Sequence, residues 1–432
     1  MNPLHRNDRP GTYPPSWYAA SATPAPPRPP LLGAVRADVA ILGAGYTGLW
    51  AAKTLAAAGL RVVVVEAHRV GWGASGRNGG QMHSGFNWDQ QTLEARIGPA
   101  AARRAWDIAE EGKAQVRDFC ATEAPEAGYL PGMAHGAYTA AELAEGRAGI
   151  DHLARVYGYD QIEVVPDFRA LVRSASYKGG WIDHGGGHLH PLRYALALAR
   201  VAESAGAVIH EGSEVTAIDK GAQVTLRTAQ GAVTADHAII AGNGYLPLIE
   251  GALAARIMPI NSFIAATEPL PDRWQEVLAQ DIAVSDSKFV VNYYRFSQDR
   301  RFLFGGRESY GLGFPRDIKG PLVARMLRLF PQLAGVRIDH VWGGTLGITM
   351  TRLPHLTRLA PNILAAGGYS GHGVPLAGIA GRAVAEAILG QAGRFDALSL
   401  FPAPRFPGGG ALRGPINTLA MTWYGLRDRL GF

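Results

Sequence analysis

Three glycines between Gly43 and Gly48 have the spacing of a turn that binds the pyrophosphate of a dinucleotide. They follow a buried apolar run that begins at Val39 and precede a helical pattern. Gly43 permits a tight turn, Gly45 leaves room for a phosphate near the backbone, and Gly48 lets the helix pack close to the strand. N–H groups at the start of that helix would face the phosphates.

An acidic residue completes this unit at the expected distance. Leu60 to Val65 predicts a second short strand, and it ends at Glu66, where such folds place a carboxylate on a ribose hydroxyl. A carboxylate disfavours a 2′-phosphate, so NADP is not expected. A glycine-rich turn made for packing alone is the alternative, and the complete strand-turn-helix-strand unit favours nucleotide binding.

Two further glycine-rich segments have the composition of ligand-binding loops. The stretch from Gly71 to Gln81 is too rich in glycine for regular structure and too long for a simple turn. Near the other end of the chain, the predicted strand Asn362 to Ala366 runs into Gly367 to Gly373, and a helix is predicted from about Pro375 to Leu389. The sequence therefore predicts a second glycine-rich helix start near the end of the chain.

The intervening elements are expected to position these loops. A helical region is predicted from about Gln91 to Thr122, and Pro191 opens a helix through Ala205. A strand follows at Val208 to Val215. A hairpin pairs Val224 to Thr228 with Val233 to Asp236, and a buried strand at Ala238 to Ala241 ends at Gly242.

A chain of 432 residues is longer than one core usually organises, so two domains are expected. Because nucleotide-type units lie near both ends, the cofactor domain is predicted to be discontinuous. The predicted division is an extended proline-rich arm at 1–34, a cofactor domain at 35–90, 181–248 and 338–392, a substrate domain at 91–180 and 249–337, and a C-terminal tail at 393–432.

Composition excludes several classes of protein. The 42 basic and 36 acidic side chains give a charge of +6 but form no long basic run, so nucleic acid is not an expected partner. Cys120 is the only cysteine, which excludes an intramolecular disulfide and a multi-cysteine metal site. The sequence shows no signal peptide and no run long enough to span a membrane, so a cytoplasmic protein is expected.

A metal site is not predicted. His184, His188 and His190 are close in sequence, but the three glycines among them prevent a rigid set of ligands. Neither a Gly-x-Ser-x-Gly elbow nor a Gly-Lys-Ser/Thr phosphate loop occurs, so hydrolase and nucleotidase functions have no support.

Three segments together resemble a known family. Gly43-Ala-Gly-Tyr-Thr-Gly48, Gly73-Ala-Ser-Gly-Arg-Asn-Gly-Gly-Gln81 and Gly367-Gly-Tyr-Ser-Gly-His-Gly373 are similar to segments of the FAD-dependent D-amino acid oxidase superfamily. Within it they look most like the gamma-glutamylputrescine oxidoreductase branch. Further similar segments are Arg256 to Asn261, Thr267 to Pro269, Tyr293 to Arg295, Leu303 to Gly306 and Trp342 to Gly344.

The resemblance implies an α/β fold in which a glutathione-reductase-like FAD-binding domain contains an inserted α+β substrate domain. It also implies that FAD is bound noncovalently, because Cys120 lies outside the motifs and no histidine lies between Ala74 and Gly80. The residues that it assigns to FAD are Gly43, Ala44, Gly45, Tyr46, Thr47, Gly48, Glu66, Ala74, Ser75, Arg77, Asn78, Gly79, Gly80, Gln81, Val215, Gly242, Gly371, His372 and Gly373.

Candidate substrate residues each have an ordinary alternative. Arg295 matches a region where relatives bind a substrate carboxylate, but it could equally be an exposed strand-edge arginine. His372 could face flavin and substrate or act as a structural helix cap. Tyr369 and Trp342 could form an aromatic wall for an alkyl-amine or belong to the core. Arg77 could meet phosphate, flavin or substrate, or lie on the surface.

The expected activity is FAD-dependent oxidation of a C–N bond in an amine or amino acid, giving an imine that water hydrolyses. Oxygen is the expected electron acceptor, with hydrogen peroxide as product, and Arg295 would favour a carboxylate-bearing substrate. One alternative is a dehydrogenase that passes electrons to a quinone or a carrier protein. The other is a binding protein that keeps the fold without redox chemistry, although the intact glycines argue against it.

Overall fold

The computed structural model describes residues 3–246, 249–288, 290–309, 311 and 313–407. Residues 408–432 of the predicted tail, and 247 and 248 at a predicted domain boundary, lie outside the described residues. The strands are β1 Gly33–Leu42, β2 Val62–Val65, β3 Gln81–Met82, β4 Leu130–Ala137, β5 Ile162–Val165, β6 Gly179–His188, β7 Val208–His210, β8 Val215–Asp219, β9 Val224–Thr228, β10 Gly231–Ile240, β11 Met258–Pro269, β12 Ala283–Asp286, β13 Tyr293–Phe296, β14 Arg301–Ser309, β15 Ile338–Ile348, β16 His355–Ala360 and β17 Ile363–Gly367. The α-helices are α1 Trp17–Ser21, α2 Tyr46–Ala57, α3 Gln90–Ile97, α4 Pro99–Thr122, α5 Ala140–His152, α6 Phe168–Leu171, α7 Pro191–Ser204, α8 Gly251–Ala254, α9 Lys319–Leu329, α10 Gly373–Ile388 and α11 Gly393–Ser399.

The first sheet has the strand order β16-β17-β10-β1-β2-β7, and β9 and β8 extend from β10 as an antiparallel pair. The pairs β1–β2, β1–β10, β2–β7 and β10–β17 are parallel. Alternate residues of β1 lie on opposite faces of the sheet. Val39 and Ile41 pack with α2, α7 and α10, whereas Ala40 and Leu42 pack with β8 and β9. Both faces are covered, which explains the unbroken apolar runs of these strands.

The second sheet has the order β15-β11-β14-β13-β12-β4-β6-β3, with β5 beside β6, and most of its pairs are antiparallel. One face forms a core with α9 that contains Phe302, Phe304 and Leu322. Leu303, between the two phenylalanines, packs on the opposite face against Trp342. This period of two divides the sheet into an outer face under α9 and an inner face toward the first sheet.

Most predicted elements near the site are confirmed, including α7, the β9–β10 hairpin and the passage from β17 into α10. Two predictions are wrong in detail. The helix predicted over 91–122 is divided into α3 and α4 at Gly98, whose φ of 87° lies in the left-handed region. The strand predicted over 208–215 is divided into β7 and β8 around Gly212, which also has a positive φ.

Sheet membership crosses the predicted domain boundaries. The predicted cofactor domain contains most of β6 and all of β15, yet both strands lie in the second sheet. The predicted substrate domain contains helix α4, yet Ala105, Ile108 and Val116 on this helix share a core with α2 and α10. The chain therefore passes between the two sheets more often than the spacing of the motifs predicted. No α-helix in the described ranges has both the length and the apolar character that a membrane span requires.

Candidate functional site

The glycine turn between β1 and α2 can form only with residues that lack a Cβ. Gly43 has a φ of 100°, and a Cβ on it would lie 2.9 Å from the Ala241 carbonyl oxygen. A Cβ on Gly45 would lie 2.9 Å from Ser75 Oγ, and one on Gly48 only 1.9 Å from the Gly43 carbonyl oxygen. The turn is therefore closed tightly against β10 and the 71–81 loop, with the start of α2 beside it.

Glu66 lies at the end of β2 with both carboxylate oxygens in use. Oε2 accepts a hydrogen bond from Ala44 N at 2.7 Å, and Oε1 accepts one from His68 N at 3.0 Å. Burial raises the pKa of Glu66 to about 7, while these backbone hydrogen bonds act in the opposite direction. The carboxyl group is held beside the glycine turn, where a ribose hydroxyl can reach it.

A cavity of about 420 Å³ extends from this turn to the inner face of the second sheet. Most residues predicted to bind the cofactor line it, but Gly48 and Gly80 do not: both fill packing positions, and a Cβ on Gly80 would lie 2.0 Å from the Leu189 carbonyl oxygen. The predicted cofactor residues on the cavity wall are Gly43, Ala44, Gly45, Tyr46, Thr47, Glu66, Ala74, Ser75, Arg77, Asn78, Gly79, Gln81, Val215, Gly242, Gly371, His372 and Gly373.

Arg77 lines this cavity and is only 3% exposed, so it is not the surface residue that was considered as an alternative. Its Nη1 donates to Asp8 in the N-terminal arm and to the Gly343 carbonyl oxygen, and its Nε donates to the Trp72 carbonyl oxygen. Its Nη2 is buried and has no partner in the described part of the chain. A buried donor of this kind is costly unless a ligand accepts its hydrogen bond.

His372 precedes α10 and lies on the cavity wall. Its side chain makes no capping hydrogen bond, and its Nδ1 is buried without a partner among the described residues. Burial lowers the pKa of His372 to about 4, and a hydrogen bond with the backbone of Gly85 only partly offsets that effect. The imidazole is therefore uncharged at neutral pH.

The unpartnered nitrogens of Arg77 and His372, together with the glycine turn, provide a test of whether FAD fits this chain. A dinucleotide supplies phosphate and ring oxygens that accept hydrogen bonds, which Nη2 of Arg77 requires. It also supplies hydroxyl and N–H groups that donate them, which Nδ1 of an uncharged His372 can accept. The missing Cβ atoms leave backbone N–H groups approachable at the start of α2. The residues present fit the cofactor.

Tyr369 and Trp342, the two predicted aromatic wall residues, have different environments. Tyr369 lines the cavity, and its hydroxyl lies 2.6 Å from Thr47 Oγ1 on α2. Trp342 is 2% exposed and does not line the cavity; its Nε1 donates to the Arg77 carbonyl oxygen at 3.0 Å. Trp342 is therefore a core residue. Of these two aromatic residues, Tyr369 is the one placed to contact a ligand in the cavity.

Arg295 is neither at the cavity nor on an exposed strand edge. It is 4% exposed, and each of its three nitrogens donates to a protein oxygen: Nε to Gly79 O, Nη1 to Phe296 O, and Nη2 to Leu189 O and Tyr18 Oη. Its guanidinium connects β13 to the 71–81 loop and to the N-terminal arm, so binding of a substrate carboxylate by Arg295 would require it to leave these partners.

The second sheet and the segment after the 71–81 loop bring further polar side chains to the cavity that were not predicted from the sequence. His83 lies two residues after the glycine loop, and this position could have identified it from the sequence as a cavity residue. Its ring stacks on that of His372. His135 stacks on Trp181, and burial lowers its pKa to about 4. The other side chains have no motif that marks them. The inner-face residues of this group are His135, Ser262, Ser285, Tyr293 and Glu308.

The three histidines considered as metal ligands have separate roles. His184 is exposed and pairs with Glu163, His188 is buried, and His190 caps α7 by accepting a hydrogen bond from Arg193 N. Within the described ranges, no group of three His, Cys, Asp or Glu side chains is arranged to hold a metal ion. Cys120 is buried on α4, away from the cavity wall, and burial raises the pKa of its thiol to about 12.

Comparison with known proteins gives full-length matches. The family model described as DAO, FAD dependent oxidoreductase, matches residues 38–387. A probable oxidoreductase OrdL of Rhizobium meliloti is 41% identical over 418 residues, covering 96% of this chain and 97% of the relative. The gamma-glutamylputrescine oxidoreductase of Escherichia coli is 40% identical over 420 residues, covering 96% of this chain and 98% of the relative.

Solved structures share the fold at low sequence identity. Glycine oxidase from Geobacillus kaustophilus superposes with a TM-score of 0.71 at 22% identity, covering 87% of this chain and all of that one. L-proline dehydrogenase from P. horikoshii gives a TM-score of 0.68 at 19% identity, covering 84% of this chain and 94% of that one. The glutathione-reductase-like layer with an inserted second sheet is thus the fold of these flavoenzymes.

Proposed function

Because this chain belongs to the DAO family of FAD-dependent oxidoreductases, we propose that it oxidises the C–N bond of an amine of the gamma-glutamylputrescine type. The product is an imine, which water hydrolyses to a carbonyl compound and ammonia. Oxygen is proposed as the electron acceptor, with hydrogen peroxide as its product. The observation that supports the proposal most is one continuous cavity that joins the dinucleotide turn to a polar wall on the second sheet.

The first half of the cavity would hold the cofactor. The turn from Gly43 to Gly48 and the start of α2 would bind the pyrophosphate, and Glu66 would accept a hydrogen bond from a ribose hydroxyl. Arg77 and His372 would donate to or accept from the flavin half. FAD, when bound, supplies the group that accepts a hydride from the carbon bearing the nitrogen.

The second half of the cavity would receive the amine. Burial holds the pKa of His83, His135 and His372 below the ordinary histidine range, so these imidazoles are uncharged at neutral pH. They therefore do not repel an ammonium group as it enters. They also surround the substrate with rigid aromatic surface that excludes water, which favours one orientation of the reacting C–H bond.

Anaerobic mixing of the purified holoenzyme with gamma-glutamylputrescine, putrescine and a panel of amino acids tests the proposal. We expect gamma-glutamylputrescine to bleach the flavin absorbance near about 450 nm, and air to restore it with release of hydrogen peroxide. If an artificial acceptor, but not air, restores the absorbance, the acceptor is not oxygen. If no amine bleaches a protein that contains FAD, amine oxidation is the wrong function.

A further inference from the structure

We propose that the first part of the N-terminal arm, residues 3–13, is a strap that closes the cofactor cavity and slows the release of FAD. In this arrangement Leu4 closes the nucleoside end of the cavity, and His68 holds the strap in place from outside the cavity. The inference depends on FAD binding, which membership of the DAO family shows, and not on the proposed substrate.

Leu4 lies where the nucleoside half of the cofactor is expected. It is 7% exposed and lines the cavity together with Glu66, Glu214 and Val215. Glu66 is the carboxylate proposed to bind the ribose. The residue after Leu4 is His5, whose Nε2 lies 2.6 Å from a carboxylate oxygen of Glu214. An apolar side chain at this end of the cavity can pack against a nucleoside and exclude water from it.

The imidazole of His68 binds two points of the strap. Its Nε2 lies 2.9 Å from the Leu4 carbonyl oxygen, and its Nδ1 lies 3.1 Å from Gly11 N. A carbonyl oxygen can only accept and a backbone N–H can only donate, so His68 carries its proton on Nε2 and is uncharged. Burial lowers the pKa of His68, which favours this form. His68 is buried and does not line the cavity, so it contacts the strap and not the ligand.

Two further contacts connect the strap to side chains of the cavity wall. Trp72 lines the cavity, and its Nε1 donates to the Thr12 carbonyl oxygen at 2.8 Å. Asp8 pairs with Arg77 at 2.5 Å, and Nη2 of Arg77 is the buried donor for which a ligand can supply an acceptor. Movement of the strap would therefore disturb two residues of the cofactor site.

The strap also reaches the second sheet. Asn7 Oδ1 accepts a hydrogen bond at 2.8 Å from Phe314 N, in the segment between β14 and α9. After the strap the chain continues into α1, where Trp17 and Tyr18 pack in one cluster with Leu303 on the inner face of the second sheet. The strap is thus bound to segments of both sheets, and release of FAD past Leu4 requires it to open.

Exchange of isotopically labelled FAD in the holoenzyme against an excess of unlabelled FAD measures this opening. Leu4→Ala should raise the exchange rate about tenfold, because it removes the apolar contact at the nucleoside end. Leu32→Ala is the matched control, since Leu32 is an exposed leucine of the same arm that does not line the cavity. Its exchange rate should equal that of the wild type.

His68→Phe should also raise the exchange rate about tenfold or more, since phenylalanine keeps an aromatic ring at this position but cannot hydrogen-bond to Leu4 or Gly11. His210→Phe is its control. Nδ1 of His210 lies 3.1 Å from the carbonyl oxygen of Pro29, in a part of the arm beyond the strap. This variant should exchange FAD at the wild-type rate.

Hydrogen exchange of the wild-type protein, followed by mass spectrometry, tests the same coupling without a substitution. If FAD leaves only when the strap opens, bound FAD must favour the closed strap by the same free energy. Backbone amides of residues 3–13 should therefore exchange about tenfold more slowly in the holoenzyme than in the apoprotein, whereas those of α5 should not change.

Two results overturn the inference: wild-type rates of FAD exchange in both Leu4→Ala and His68→Phe, or hydrogen exchange of residues 3–13 that FAD does not slow. The second measurement uses the wild-type chain, so it decides the question even if a variant fails to fold. None of these measurements involves an amine, so their outcome is independent of the proposed amine oxidation.

Discussion

The imidazole rings of His83 and His372 stack on the cavity wall with centroids 5.1 Å apart and planes 10° from parallel. Burial is the largest cause that lowers the pKa of His83, and the neighbouring titratable groups His372, His135 and Lys113 lower it further. For His372 the dominant cause is burial, and its pKa falls to about 4. Two stacked imidazoles would repel each other if both were protonated, so the stacking agrees with the uncharged rings that burial favours near neutral pH.

This pair should make the stability of the protein depend on pH. The folded pKa of His372, about 4, is below the unfolded value of about 6.5, so the unfolded chain binds a proton more readily and stability is lost as the pH falls through this interval. From pH 7 to pH 5 the loss from His372 should be about 2 kcal/mol. Urea unfolding of wild-type protein and His372→Gln at both pH values measures it.

The variant His372→Gln should lose less stability than the wild type over this range, because glutamine does not titrate. His184→Gln is the control, since His184 is an exposed histidine paired with Glu163 and should leave the wild-type pH dependence in place. Equal losses in the wild type and in His372→Gln would show that the imidazole of His372 is not held uncharged by its surroundings.

Glu66 leads to a prediction about FAD affinity with its own pH window. Burial raises the pKa of this carboxyl group to about 7 in the protein without cofactor. A ribose hydroxyl that donates to the carboxylate would stabilise the ionised form and lower this pKa, so affinity should be fully present above pH 7 and fall as the pH drops below it. The expected limit is about a tenfold loss per pH unit.

Titration of the apoprotein with FAD, followed by quenching of FAD fluorescence between pH 5.5 and 8.5, measures this dependence. Glu66→Gln should bind FAD more weakly at pH 8 and should lose the part of the pH dependence that Glu66 causes. A wild-type affinity that is constant from pH 5.5 to pH 8.5 would contradict the placement of Glu66 on the ribose.

The cofactor half of the site was predictable because its geometry is local. The turn from Gly43 to Gly48 and the carboxylate of Glu66 belong to one β-strand, helix, β-strand unit, so residue types at fixed spacing determine their positions. The cavity-lining positions of Ser75, Gly79 and Gln81 follow from the loop that continues this unit. Gly80, by contrast, occupies a packing position away from the cavity wall.

The substrate half depends on relationships that residue types do not encode. Gly306 is an extra residue in β14 relative to its partner strand β11. This bulge places Arg307 on the outer face of the sheet and Glu308 on the inner face, whereas strict alternation along β14 would have predicted the reverse. His135 reaches the cavity only because β4 pairs with β12 of a distant segment. Long-range strand pairing, not local pattern, sets the chemistry of this wall.

Arg295 gives the last prediction, since its partners lie far away in sequence: the hydroxyl of Tyr18 and the carbonyl oxygens of Gly79 and Leu189. Arg295→Met leaves these buried acceptors without donors, and the free energy of unfolding should fall by about 3 kcal/mol. Urea unfolding measures this loss, and Arg36→Met, at an exposed position of β1, should change it by less than about 0.5 kcal/mol. If Arg295→Met instead keeps its stability and raises the KM only for carboxylate-bearing amines, Arg295 binds substrate after all.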